Sequence, residues 1–374
     1  MKRIVTAAAA MLLILTSCGN TRTADTGVFE VTGEMELQYA EQFRVEHCSG
    51  GYELITIGDD RFLLVPEGKE IPADTAGAAV IKQPLDSIYL ASSAAMDLFG
   101  CIGELDRVKM TSTDKKSWTL PYVCDALDSG AMSYIGKYSA PDYEQLAEQS
   151  CDIAIENTMI YHSPAVREQI ESMDIPVLVE RSSYESHPLG RMEWIKLYGL
   201  LAGDEENAER CFADKTRAFS ELETDDIPDG ERPAAAFFYI SSNGYVNIHK
   251  PGDYVARMIE LAGGKYAFTA ADLNVEDNAL STMNIQLEKF YELAKDADVL
   301  IYNSTIDGEL NTIDELIAKS AILADFKAVK NGNVWCTGQN MFQQTTGAAD
   351  MITDLNRIFT GESVSELTYL HRLD

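Results

Sequence analysis

Sixty carboxylates, five histidines and seven cysteines are the groups through which this chain of 374 residues could do chemistry. Their spacing rules out several kinds. No G-x-S-x-G elbow offers a serine nucleophile. Neither the P-loop nor the dinucleotide glycine pattern occurs. Pairs of acids carry little information in a chain with so many. The cysteines form no CxxC, and none stands at zinc spacing from a histidine. Cys101, Cys151 and Cys211 fall in apolar patterns and read as buried free thiols. His162, His187 and His249 could hold zinc or manganese if a cleft gathered them. Their simpler reading is local hydrogen bonding in loops. No catalytic residue, resident metal or cofactor is assigned.

What the chain offers instead is a set of polar and aromatic residues at or near the ends of apolar runs. Ser92, Ser93, Trp118, Tyr138, Glu156, Asn157, Arg181 and Tyr184 lie in the first half; Ser241, Asn243, Tyr302 and Asn303 lie in the second. Tyr122, Tyr134, Gln339 and Asn340 stand nearby in sequence. Aromatic rings give flat contacts to a ring-bearing ligand, and Arg181 can pair with carboxylates. The same residues also serve as helix caps and loop fillers, so the elements around them decide.

Those elements alternate. After a short antiparallel meander over residues 43–65, apolar strands at 88–91, 107–110, 152–155 and 176–179 are interleaved with helical stretches at 92–98, 121–127, 142–149 and 164–173. The pattern restarts with strands at 234–240 and 298–302 and helices at 253–261, 285–294 and 313–320; a strand through Val334-Trp335 and a helix at 351–359 close it. Such alternation implies parallel sheet with right-handed crossovers. The expected fold is α/β, with two Rossmann-like lobes, 36–187 and 223–374, and a ligand cleft between them. The joint is 188–222, expected as a single long interlobe helix starting at Pro188, with two helices, the first ended by Gly203 and the next capped by Asp204, as the alternative. In open α/β sheets ligands sit beyond the carboxyl ends of the strands, where the residues named above fall.

The N-terminus has its own plan. Lys2 and Arg3 precede a short apolar run, Ala7 to Leu15, too short to span a bilayer. Leu15-Thr16-Ser17-Cys18 follows. This order predicts a signal peptide over 1–17 and a flexible tether over 18–35. The ending resembles a bacterial lipoprotein cleavage box, which implies lipidation at Cys18. A formal charge of −30 argues against nucleic-acid partners and against adsorption to anionic lipid.

Beyond residue 80 the chain resembles the substrate-binding lipoproteins of ABC importers, of the iron-siderophore, haem and cobalamin type. The resemblance rests on the order of several stretches. These are YSAPDYEQLAEQSCDIAIENTMIYHSPAVREQIESMDIPVLVE (138–180), ESHPLGRMEWIKLYGLLAG at the joint, LEKFYELAKDADVLIYN (287–303) and FKAVKNGNVW (326–335). The chain departs from the family at QPLDSIYLASSAAMDLFG, which lacks the usual glutamate. The resemblance implies a monomer, lipid-anchored on the outer face of a cell membrane. It implies capture of an iron chelate, haem or corrinoid and delivery to an ABC permease and its ATPase. It implies one docking acid per lobe, for which Glu168 and Glu288 are the candidates. Two alternatives stand beside it, a zinc or manganese importer component and a surface enzyme on the same scaffold.

Overall fold

The computed structural model describes residues 30–374 except 223, 225, 226, 229 and 363. The signal peptide, Cys18 and most of the tether therefore lie outside the described residues. Strands Val31–Glu34, Phe43–Cys48, Glu53–Ile57, Asp60–Val65 and Ala79–Lys82 form one sheet in chain order, antiparallel except for the last pair. The expected meander is its middle. Glycines in the left-handed region make its tight turns, as at Gly58.

The first-lobe sheet is wholly parallel, in the order Val177–Glu180, Ile153–Asn157, Ile88–Leu90, Val108–Thr111, Ser133–Tyr134. Its central strands are buried almost throughout and mainly apolar, as a sheet covered on both faces requires. The second-lobe sheet is mixed. Ala234–Ile240, Val299–Tyr302 and Val334–Thr337 run parallel at its centre. Val246–His249, Thr282–Ile285 and Leu370–Arg372 extend it antiparallel at the two sides. These short additions gave no sequence signal, because two-sided pairing rather than alternation holds them. Ile285 thus ends a strand, and the helix expected from 285 is Leu287–Ala294. The first-lobe helix Ser93–Ile102 runs on through Gly100, beyond the expected stretch 92–98. Gly100 leaves room for the Tyr122 ring, which a Cβ would meet at 2.9 Å. The left-handed cap is Gly103.

The joint corrects the expectation of one long helix. Pro188–Ala202 ends at Gly203, left-handed at φ 74°, and Glu205–Ser220 turns back along it. Lys196 meets Glu209 at 3.2 Å and lies 5.2 Å from the Phe212 ring, while Gly199 lies against Ala208. That pairing is antiparallel, so the joint is a helical hairpin. Fourteen of the 15 residues of Pro188–Ala202 are buried, which makes it an interior helix; Arg191 is the exception.

Its charged residues are buried with partners. Glu193 accepts the backbone N–H groups of Gln38, Tyr39 and Ala40 at 2.7–3.0 Å. Glu185, just upstream of the helix, takes those of Glu41 and Gln42 at 2.8 and 3.0 Å, and the Trp194 indole N–H at 2.9 Å. Lys196 donates to the Glu36 carbonyl at 3.0 Å and lies 3.2 Å from Glu193. Successive amides aimed at one carboxylate form an anion-binding concavity, here filled from within the chain. The loop 36–42 is thereby fastened to the joint.

Candidate functional site

The carboxyl ends of both central sheets face one seam. The helix that follows the first-lobe strand Ile88–Leu90 and the loop that follows Val108–Thr111 meet the stretch 338–347, which follows the second-lobe strand Val334–Thr337. Gln343 Oε1 accepts from Thr119 N and Oγ1, both at 2.7 Å, and its amide donates to the Ser117 carbonyl at 2.7 Å. Thr345 donates to the Ala94 carbonyl at 2.7 Å. Thr346 N and Oγ1 donate to Asp97 Oδ2 at 2.8 and 2.6 Å, while Asp97 Oδ1 takes the Tyr122 hydroxyl at 2.9 Å.

At the start of the interlobe helix, the Arg191 guanidinium stacks 3.9 Å over the Tyr254 ring of the second lobe. Its Nε is dry and has no hydrogen-bond partner. Burial opposes its charge, but the nearby Tyr254, Glu180 and Asp253 hold its pKa above the ordinary arginine value. Glu180, at the carboxyl end of its strand, accepts Ser92 Oγ at 2.9 Å and Ser182 N at 2.8 Å. A cavity beside Arg191 is walled by Tyr254, Met258, Met341, Phe342 and Met351. Its volume, about 20 Å³, admits little more than a water.

The mouth of the seam is marked differently. Eight large apolar side chains are exposed among the described residues, and six of them follow strand ends of the two lobes. Tyr134, Met159, Tyr161 and Tyr184 come from the first lobe, Tyr245 and Ile306 from the second. Soluble proteins leave such side chains scattered singly; several of them at the carboxyl ends of strands mark a candidate binding surface. A roomier groove of about 790 Å³ lies elsewhere, lined by Asp59, Asp60, Arg167 and Asp174. It reaches Asp152 and Pro176, which precede their strands, so it opens at the amino ends of the sheet. Topology favours the seam.

The twelve residues singled out from sequence divide into three groups. Ser92, Ser93, Arg181 and Tyr184 stand at the seam. Arg181 lies 4.9 Å from the Tyr184 ring centre and reaches the Tyr161 hydroxyl at 3.5 Å and Gln42 at 3.4 Å. Asn157, Ser241, Asn243 and Asn303 organise their own turns. Asn157 caps toward Met159 N and holds the Ala91 carbonyl, Ser241 bonds Asn243 and the Tyr245 carbonyl, and Asn303 accepts from Thr305. Trp118, Glu156 and Tyr302 are buried, and Tyr138 packs half-buried on the first-lobe core. Trp118 gives its indole N–H to the Thr113 carbonyl at 3.1 Å. Tyr302 has an unpartnered hydroxyl, and burial pushes its pKa up to about 12. Glu156 has no exposed surface and no partner on either oxygen, and burial pushes its carboxyl up to about 8.

The three histidines do not converge. His249 Nδ1 bonds the buried Asp253 at 2.7 Å. His187 caps the interlobe helix through Leu189 N, stacks on Tyr39 at 4.5 Å, and is pushed down to about 4, mainly by burial. His162 is exposed at the end of a short 3₁₀ turn. Among the described residues no group of three His, Cys, Asp or Glu side chains could hold a metal ion. Sequence reasoning missed Arg191, Glu180, Asp97 and Tyr254. Only Arg191 carried a signal, as a charge at a position the helical pattern turns inward.

Similarity to known proteins agrees with this geometry. The periplasmic binding protein family matches residues 92–341. An uncharacterised lipoprotein of Methanocaldococcus jannaschii is 27% identical over 291 residues, 76% of this chain and 67% of its own length. A periplasmic haem-binding protein of Pseudomonas aeruginosa superposes with a TM-score of 0.59 at 14% identity, covering 77% of this chain and 98% of that one. The molybdate-binding periplasmic protein of a Haemophilus influenzae ABC transporter gives 0.58 at 13%, covering 75% and 88%. At such identities the two structures speak for the fold alone. With the family match over most of the chain and two α/β lobes meeting at the carboxyl ends of their strands, the chain belongs to the periplasmic binding protein family.

Proposed function

We propose that this protein captures a ring-bearing, anionic metal chelate or tetrapyrrole at the interlobe seam and hands it to an ABC permease and its ATPase. The observation that supports this reading is the rim of exposed Tyr134, Met159, Tyr161, Tyr184, Tyr245 and Ile306. A bare ion such as molybdate or zinc needs converging polar groups, not flat apolar ones. Arg181, beside Tyr184 and Tyr161, and Arg191, stacked on Tyr254, supply positive charge suited to carboxylates on the cargo. The cargo class covers iron chelates, haem and corrinoids. Lipidation at Cys18, with the tether after it, would keep the protein on the outer face of the membrane. No helix among the described residues is long and apolar enough to cross a membrane.

Glu168 and Glu288 are the carboxylates proposed for the permease. Both are exposed. Glu288 is in the first turn of its helix and Glu168 in the second turn of Pro164–Glu171. Crossover helices begin at the carboxyl edge of a sheet, which puts Glu288 near that edge; Glu168 is farther along its helix, beside Arg167 of the groove at the amino ends.

Native mass spectrometry of residues 19–374 with haem, ferric siderophores, cobalamin, molybdate and zinc tests the cargo class. One equivalent of a chelate or tetrapyrrole should bind. Tyr184→Ala should weaken it about tenfold, the worth of one aromatic contact. Binding of molybdate or zinc alone would overturn the reading.

A further inference from the structure

Cys101 and Cys211 lie 110 residues apart in a chain whose cysteines show no spacing motif. The fold brings them together. Cys101 is in the last turn of the first-lobe helix Ser93–Ile102, and Cys211 is in the returning helix of the hairpin, Glu205–Ser220. Cys211 Sγ donates to the Cys101 carbonyl at 2.9 Å. One residue on, the Asn207 amide bonds the Ile102 carbonyl at 2.5 Å, so the two helices are in register at this point. Both cysteines are partly exposed, unlike the buried Cys48, Cys151 and Cys336. Cys124, also partly exposed, faces the Lys115 and Trp118 carbonyls and no other sulfur.

We infer that Cys101 and Cys211 are a disulfide site that staples the first-lobe helix to the interlobe hairpin when the protein meets an oxidising compartment. The chemistry is exchange with a disulfide oxidant such as glutathione disulfide. One cysteine thiolate attacks an oxidant sulfur and releases a glutathione thiolate. The other thiolate then attacks the mixed disulfide at the protein sulfur and releases the second. Two protein thiols lose their protons and an electron pair, and the oxidant leaves as two thiols. Disulfides require Cα atoms within about 7 Å, which two packed helices in register can meet. Burial and the neighbouring Cys211 push the Cys101 thiol up to about 12, so the reaction quickens as pH rises. The staple has a place to act. The same first-lobe helix carries Asp97, which holds Thr346 across the seam. Oxidation would therefore fix one wall of the seam to the joint.

The test uses the purified chain and does not depend on its cargo or its export. After incubation with glutathione disulfide, maleimide labelling under denaturing conditions should count two thiols fewer. Peptide mapping should recover one cross-link, Cys101 to Cys211. The melting temperature should rise by on the order of 5 °C, as expected for closing so long a loop, and dithiothreitol should reverse it. Cys211→Ser should abolish cross-link and rise together. The inference is overturned if all thiols still label, if stable glutathione adducts remain on both residues, or if mapping finds a different pair. The mapping needs no variant, so a poorly folding substitution does not obscure the answer.

Discussion

Glu156 shows how a residue at the right place in a strand can have the wrong surroundings for a ligand. It stands near the carboxyl end of a strand, where binding residues gather, yet its side chain turns into the core. There the Tyr89 hydroxyl is also unpartnered, and its titration is raised, chiefly by burial and then by Glu156. A carboxyl that titrates near 8 in the folded state and at 4.5 unfolded stays protonated in the fold while the unfolded chain ionises. Below about pH 4.5 both states hold the proton and the group is neutral to stability. Between 4.5 and 8 the unfolded state gains from ionisation, and stability falls as pH rises. Glu156→Gln removes that slope. Urea unfolding should show the variant gaining a few kcal/mol on the parent from pH 4 to pH 8. A constant difference across that range would mean that Glu156 is ionised in the fold.

The hairpin at the joint is decided by two glycines and several buried polar pairs. Gly203 supplies the left-handed turn. Gly199 does something that helix propensity opposes. A Cβ there would lie 2.4 Å from the Ala208 Cβ and 3.1 Å from the Asp204 carbonyl, neither of which can swing away. Gly199→Ala in an isolated helix should stabilise by about 1 kcal/mol. In this protein it forces the two helices apart and should instead destabilise by about 1–3 kcal/mol, an overpacking cost that denaturant titration reads directly. A stabilised variant would show that the close approach does not hold in solution. The carboxylates Glu185 and Glu193 act at the same scale. Their grip on the loop 38–42 ties the first sheet, which leads toward the tether, to the element joining the lobes.

For the molecule as a whole, the seam is bridged from both sides. Gln343, Thr345 and Thr346 bond the first lobe, and Arg191 stacks on the second. The carboxyl edges of both sheets thus share one face, and a permease meeting that face would meet both lobes together. Surface acids act at long range and are screened by salt. Glu168→Lys with Glu288→Lys should weaken permease binding at low ionic strength, with a loss that shrinks as salt is added, and leave cargo affinity unchanged. Surface-based binding assays with the permease in detergent would measure it. Equal binding of parent and variant at low salt would remove these two residues from the docking surface.

The alternation of apolar runs and helical stretches determined, from sequence alone, two α/β lobes and where their central strands fall along the chain, because buried parallel strands and crossover helices carry strong periodic signals. The joint was legible as helical, and Gly203 as its weak point. Whether the chain bent or folded back there depended on Gly199 meeting Ala208, a contact between residues nine apart that no local pattern records. The edge strands Val246–His249 and Leu370–Arg372 were silent because partners, not composition, make them strands. For the site, sequence marked the loops at the strand ends but not the directions of their side chains. Tyr184 faces solvent and Trp118 faces the core, although both are aromatic residues in loops. Arg191, Glu180 and Asp97 emerged only in three dimensions, since a charge on a buried element shows its purpose only through partners distant in the chain.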